Sequence, residues 1–141
     1  MKTKQLIFLV LALVLLGGLS YGLYQYFRKA PDLVKAKANM VLTDMELIKA
    51  YTTNEAKSDS LYLDKVIKVK GTVKSVEKDP EGFNTVYLGA SDGENSVSCA
   101  MSKKHNAETE MLKVGDKAIF QGKCAGFMID VSLTECGLQK E

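Results

Sequence analysis

A chain of 141 residues, 46% hydrophobic and 26% charged, has room for one modest globular domain and an accessory segment. Its formal charge of +2 misleads: once Lys2, Lys4, Arg28 and Lys29 are set aside, 15 basic residues face 17 acidic ones, a net −2. A domain held to a nucleic-acid backbone by counterion release is ordinarily basic, so the balance argues against that class.

From Gln5 to Phe27 run 23 residues without a charge, among them LIFLVLALVLLGGL. At about 1.5 Å per residue a helix of this length reaches roughly 34 Å, enough to cross a hydrocarbon core of about 30 Å. Lys2 and Lys4 supply the basic start of an export signal, and Gly18-Leu19-Ser20 puts small residues where a signal peptidase could cut. Tyr21, Leu23, Tyr24, Tyr26 and Phe27 continue the apolar character up to Arg28-Lys29, as in the interfacial belt of a retained helix. Residues 1–29 are therefore read as a membrane anchor or signal segment, with 5–27 as the membrane contact. No cysteine follows the run, which excludes the usual lipid-modified N-terminus. Arg28, Lys29, Lys35 and Lys37 after the span tilt a positive-inside count toward a cytoplasmic domain. Long domains translocate regardless of such charges, and the export-like start favours a single pass in the cytoplasmic membrane with an extracytoplasmic barrel.

Residues 30–63 read as a connector followed by short helices. Pro31 stops helix continuation. Thr43-Asp44-Met45-Glu46 fits a capping box, a hydroxyl at the N-cap and a carboxylate three residues on. Met45, Leu47, Ile48 and Tyr51 form the apolar face of the helix that follows, which packs on the barrel or, in a sharper reading, meets a partner. Asn54 caps a second helix from Glu55 to about Tyr62, with Ala56 and Leu61 turned inward.

From residue 64 to 141 the period is two. In KVIKVKGTVKSVEK, Ile67, Val69, Gly71 and Val73 share one face, and Lys68, Lys70, Thr72 and Lys74 the other, as in a half-buried strand. Gly71 marks a bend that lets one long strand pair in both halves of a closed sheet. After a turn at Lys78–Gly82, Asn84, Val86 and Leu88 point inward and Phe83, Thr85 and Tyr87 outward. A hairpin loop at Ser91–Asn95 leads to a third strand with Val97, Cys99 and Met101 inward. Asn106 to Lys113 reads as a short helix resting on Ala107, Met111 and Leu112. A fourth strand, Lys117 to Cys124, turns Ala118, Phe120, Gly122 and Cys124 inward. A tight turn at Ala125-Gly126 precedes a fifth, Ile129 to Cys136, with Val131 and Leu133 inward. Three strands, a helix and two strands is the order of the OB-fold, a mainly β, partly open Greek-key barrel. Closure removes the edges that short strands would otherwise expose.

The runs YLDKVIKVKGTVKSVE, VSC and LKVGDKAIFQGKCAGFMIDVSLTEC resemble the tRNA-anti-like OB-fold proteins of bacteria, often membrane-anchored or lipoprotein-like and of largely undefined role. The resemblance spans roughly residues 40–138, and its most specific part is G-x-C-x-G-x-x-x-D-V-x-L-x-x-C from Gly122 to Cys136. Asp64 stands where the family pattern implies a glycine in the turn before the first strand. The family name implies likeness to an anticodon-binding OB domain, but fold does not carry function.

Candidate ligand-binding residues are the outward Lys68, Lys70 and Lys74 with Phe83 and Tyr87 on the next strand. Lysines with stacking aromatics would suit a single strand, or they form an ordinary solvated strand face. Arginine, best suited to phosphate, does not recur after residue 28. Cys99, Cys124 and Cys136 are too widely spaced for a C-x-x-C motif. With a turn near Phe127, Cys124 faces about residue 130 and cannot reach Cys136. Cys99 and Cys136 can bridge if strands three and five adjoin, or they are small buried hydrophobes. His105, the only histidine, reads as a surface-loop residue, with a haem ligand as the sharper alternative. Asp130 points outward, and Asp79, Glu81, Asp92 and Glu94 are loop residues with no positioned acid–base pair. No cofactor is expected. The expected function is a non-catalytic, membrane-anchored binding module for a protein, glycan or small molecule. A single-stranded nucleic-acid binder is the alternative, and a haem or small-molecule carrier comes third.

Overall fold

The computed structural model describes residues 2–28 and 31–140, in two compact units, Met1–Pro31 and Asp32–Glu141. In the first, helix α1 covers Thr3–Phe27 and buries none of its side chains. A helix apolar on every side has no face suited to water, and this one is long and apolar enough to cross a membrane.

The second unit opens with strand β1 (Met40–Thr43) and helices α2 (Asp44–Thr53) and α3 (Glu55–Tyr62). Strands β2 (Val66–Lys78), β3 (Asn84–Leu88), β4 (Val97–Met101), β5 (Lys117–Phe127) and β6 (Val131–Gln139) follow. Around the barrel the order is β2-β3-β4-β6-β5, and β5 closes back onto β2. The first half of β2 pairs with β5, from Val66↔Lys123 to Thr72↔Lys117. The second half pairs with β3, from Val73↔Leu88 to Lys78↔Asn84, with a bulge between Val73 and Ser75. One bent strand thus serves two neighbours, as the glycine in its middle suggests. Gly71 has a second use, because a Cβ there would stand 2.5 Å from Asp44 Oδ2 and 2.7 Å from its Cγ. The glycine is the seat of α2 on the barrel.

Alternation places the core where the pattern puts it. Ile67, Val69, Val73, Val86, Leu88, Val97, Cys99, Phe120, Cys124, Val131 and Leu133 are all buried, and full burial of such an aliphatic or aromatic side chain is worth about 1.5–3 kcal/mol. Helix α2 adds Leu47 and Tyr51. The Tyr51 ring stacks on Phe127 at 5.8 Å, and its hydroxyl lies 3.4 Å from Cys124 Sγ. The capping box forms as read: the Glu46 N–H donates to Thr43 Oγ1 (3.2 Å) and the Thr43 N–H to Glu46 Oε2 (2.8 Å). Asn54 Oδ1 accepts from the Lys57 N–H at 3.0 Å and caps α3.

Several local expectations fail. The stretch ahead of the first short helix is not merely a connector, since β1 lies parallel to β2 from Met40↔Ile67 to Thr43↔Lys70. Helix α3 turns Ser58 and Tyr62 toward the barrel, leaving Ala56 and Leu61 exposed, because Tyr62 packs on Tyr51 with ring centroids 6.0 Å apart. The helix read at Asn106 to Lys113 is a single 3-10 turn, Asn106–Thr109, with Ala107 and Met111 exposed and only Leu112 half-buried. Its backbone is diverted by side chains: Asn106 Oδ1 accepts the Asn84 N–H at 2.6 Å, and Asn84 Nδ2 donates to Thr109 Oγ1 at 2.8 Å. Strand β5 runs through Ala125-Gly126 to Phe127, the glycine at φ +106°, so the turn falls at residues 128–130. Asp64, in the glycine position of the family pattern, adopts φ +62°, and its carboxylate pairs with Lys123 at 2.9 Å.

Candidate binding face

In an OB barrel the usual ligand surface is the outer face of the second and third barrel strands, between the first and last hairpin loops. Here that means β3 and β4, with Lys78–Phe83 at one end and Met128–Asp130 at the other. The alternation that buries Val86 and Cys99 and half-buries Val76 turns their neighbours outward. The register aligns them in two rows: Glu77, Thr85 and Ala100, then Ser75, Tyr87, Ser98 and Ser132. Ser98 and Ser132 hydroxyls lie 3.3 Å apart. Partial burial, with the charges of Glu77 and Asp130, pushes the Tyr87 phenol above its ordinary value. Asp130 is fixed in the β5–β6 turn, its Oδ1 accepting the Ser96 N–H at 2.6 Å. The face is therefore one tyrosine ringed by hydroxyls and carboxylates.

The five residues selected from the sequence do not form one surface. Tyr87 sits mid-row, and half-buried Phe83 leads into β3, its N–H donating to Asp79 Oδ1 at 2.9 Å. Lys68 and Lys70 belong to the first half of β2, opposite Gln121 and Ile119 of β5 and Val41 and Thr43 of β1. Five strand steps separate Lys70 from Ser75, roughly 16 Å, and the bend at Gly71 intervenes. Lys70 lines a small cavity of about 150 Å³ with Leu112, Ile119 and Leu138. Lys74 serves the β3–β4 loop, its Nζ donating to Gly93 O at 2.7 Å and lying 3.3 Å from Ser96 Oγ. The outward serines and Glu77 obey the same alternation that selected Tyr87, which is the signal that could have found them.

His105 is a loop residue, as expected, but not a surface one: it is 8% exposed. Its Nδ1 lies 2.6 Å from Glu108 Oε1 and its Nε2 3.0 Å from Asp32 Oδ1. A neutral imidazole can donate from one nitrogen only, so two carboxylate partners call for the imidazolium. Burial opposes the charge, but Glu108 and Asp32 outweigh it and raise the His105 value. Both ring nitrogens are occupied, which leaves none for a haem iron. Lys104, 2.8 Å from Asp32 Oδ2, completes the cluster, and its hydrogen bond is the largest cause holding the Asp32 carboxyl at about 2. Gln121 Nε2 donates to Leu33 O and Ala36 O at 2.6 Å each, so residues 32–39 are strapped to the barrel.

All three cysteines are buried free thiols. Strands β4 and β6 adjoin, with Cys99↔Leu133 and Met101↔Cys136 across a bulge. A hydrogen bond with Cys99, then burial, push the Cys136 thiol well above its ordinary range. Cys124 faces Leu133 rather than residue 130, because the hairpin turns later than read and is bulged.

Comparison with solved structures finds the same barrel elsewhere. A "putative nucleic acid-binding lipoprotein" from Klebsiella pneumoniae subsp. pneumoniae MGH 78578 superposes with a TM-score of 0.61 at 20% identity, over 80% of this chain and 100% of that one. Entamoeba histolytica asparaginyl-tRNA synthetase gives a TM-score of 0.41 at 17% identity, over 59% of this chain and 22% of that one. The yeast Stn1 and Ten1 structure gives 0.46 at 18%, over 77% and 66%. No curated protein sequence matches. The family profile described as tRNA_anti-like matches residues 1–137, and with the closed barrel in place the chain belongs to the tRNA_anti-like family of OB-fold domains.

Proposed function

We propose that this chain is a non-catalytic binding module, held at the cytoplasmic membrane by residues 1–29 and presenting the barrel of residues 64–141 on the extracytoplasmic side. Residues 30–63 lead into the barrel and brace it. The ligand face is the Tyr87 surface, and the supporting observation is its chemistry: a phenol row with Ser75, Ser98 and Ser132, flanked by the charges of Glu77 and Asp130. A phosphodiester backbone is repelled by such a face. Among protein, glycan and small-molecule partners a glycan fits best, its ring stacked on Tyr87 and its hydroxyls shared with the serines and Glu77. In detergent, the full chain should bind neutral oligosaccharides in preference to oligonucleotides, and Tyr87→Ala should abolish that binding without lowering the melting temperature. A C-terminal alkaline phosphatase fusion should be active.

A second reading, single-strand nucleic-acid binding by a cytoplasmic barrel, is favoured by the name and fold of the Klebsiella neighbour. An inactive fusion, with oligonucleotide binding lost in Lys68→Glu plus Lys70→Glu, would replace the first reading with this one.

A further inference from the structure

The N-terminus of α2, the Gly71 bend, the start of the β3–β4 loop and the turn before β5 enclose a cleft of about 360 Å³, within the size range of small-molecule sites. None of the Tyr87-row side chains lines it. Two residues of opposite charge, Asp44 and Lys74, do. Asp44 is 7% exposed; its Oδ1 accepts the Met45 N–H at 2.7 Å and its Oδ2 the Thr72 N–H at 3.3 Å. It opens the ten-residue α2, where the helix dipole favours an anion. Half-buried Lys74 donates to Gly93 O and contacts Ser96 Oγ. Among the described residues neither group has an ion-pair partner: each is fixed by neutral groups rather than by a counter-ion or by the other. An ammonium has three N–H donors and a carboxylate about four acceptor sites, so both keep hydrogen-bonding capacity for a ligand. Beside them, Met45 and Val114 line the same cleft and are exposed apolar side chains.

We infer that this cleft binds a small zwitterion with an apolar substituent, an α-amino acid, whose ammonium meets Asp44, whose carboxylate meets Lys74, and whose side chain lies on Met45 and Val114. Opposite fixed charges in one cavity recognise a molecule carrying both signs and discriminate against one that has lost either, since the orphaned charge would then be left desolvated. The site is independent of the Tyr87 face.

The test is titration of the isotope-labelled full chain in detergent micelles with L-leucine, with leucinamide, which lacks the carboxylate, and with N-acetylleucine, which lacks the ammonium. Leucine should shift the amides of Thr72, Lys74, Ser91 and Gly115 saturably, and each analogue should bind about tenfold more weakly or worse. Asp44→Asn, which keeps an acceptor for the Thr72 N–H, should erase the advantage over N-acetylleucine. Lys74→Met should erase the advantage over leucinamide. Tyr87→Ala should leave leucine binding unchanged. Should either cleft variant unfold, the three-ligand comparison on the unaltered chain still decides. Equal binding of all three, shifts centred elsewhere, or no saturation at millimolar concentration would overturn the assignment.

Discussion

Replacing Gly71 by alanine sets two physical effects of opposite sign against each other. Gly71 is not among the glycines with positive φ, so alanine is conformationally permitted there, and reduced freedom of the unfolded chain alone would stabilise by about 0.4–1 kcal/mol. The new Cβ, however, would stand 2.5, 2.7 and 2.9 Å from Oδ2, Cγ and Cβ of Asp44. That side chain is short, and both its oxygens are held by backbone N–H groups. Relief means rotating the carboxylate off Thr72 or lifting the start of α2, which also carries Leu47 and Tyr51 in the core. Overpacking of this kind costs about 1–3 kcal/mol, and the lost hydrogen bond about 1 kcal/mol. The net expectation is destabilisation by about 1–3 kcal/mol, at roughly 4–8 °C of melting temperature per kcal/mol for a domain near 100 residues. Near-ultraviolet circular dichroism, which reports the packed Tyr51, follows the transition. Asp44→Ala in the same chain should recover most of the loss, since the two sites touch. An unchanged or raised melting temperature in Gly71→Ala, or an equal penalty in both backgrounds, would refute the seating of α2 on this glycine.

The His105 cluster predicts a pH window. A raised histidine value contributes stability in full below its ordinary 6.5 and loses it as pH rises through the folded value. A lowered aspartate value contributes in full above 3.8 and loses it as pH falls toward about 2. The melting-temperature gap between the native chain and His105→Gln should therefore be widest from pH 3.8 to 6.5 and narrow on either side; a flat gap contradicts the linkage. Gln121→Leu leaves the Leu33 and Ala36 carbonyls without their donor and should cost about 1–3 kcal/mol, with faster amide exchange across residues 33–39. Unchanged protection there would show that the strap is held by other contacts. Thr43→Ala removes the cap of α2 and should cost about 1 kcal/mol, read as a lower urea midpoint.

What was legible in the sequence was periodic or local. The charge-free run announces α1, Thr43 and Glu46 announce the start of α2, and the alternation of Ile67, Val69 and Val73 announces the inward face of β2. What was not legible depends on distant partners. Strand β1 is four residues long and takes its identity from β2, reached only through two intervening helices. The burial of His105 depends on Asp32, 73 residues away. Gly126 suggests a turn because glycine takes positive φ without strain, yet it sits in a bulged strand at φ +106°. The candidate site shows the limit most plainly. Alternation says which side of a strand Lys68 and Tyr87 occupy, but not where the strand travels after it bends. The lysines and the aromatics therefore share a parity without sharing a surface.

The division of β2 between two neighbours also orders events in time. Its second half meets β3 across a short loop, so that ribbon can zip as soon as both are synthesised. The first half must wait for residues 117–123, about fifty positions downstream. Until then a nascent chain carries an unsatisfied backbone edge, a state prone to mispairing. A product truncated before Lys117 would keep that edge permanently, which makes the segment from Lys117 onward the part on which solubility during biogenesis turns.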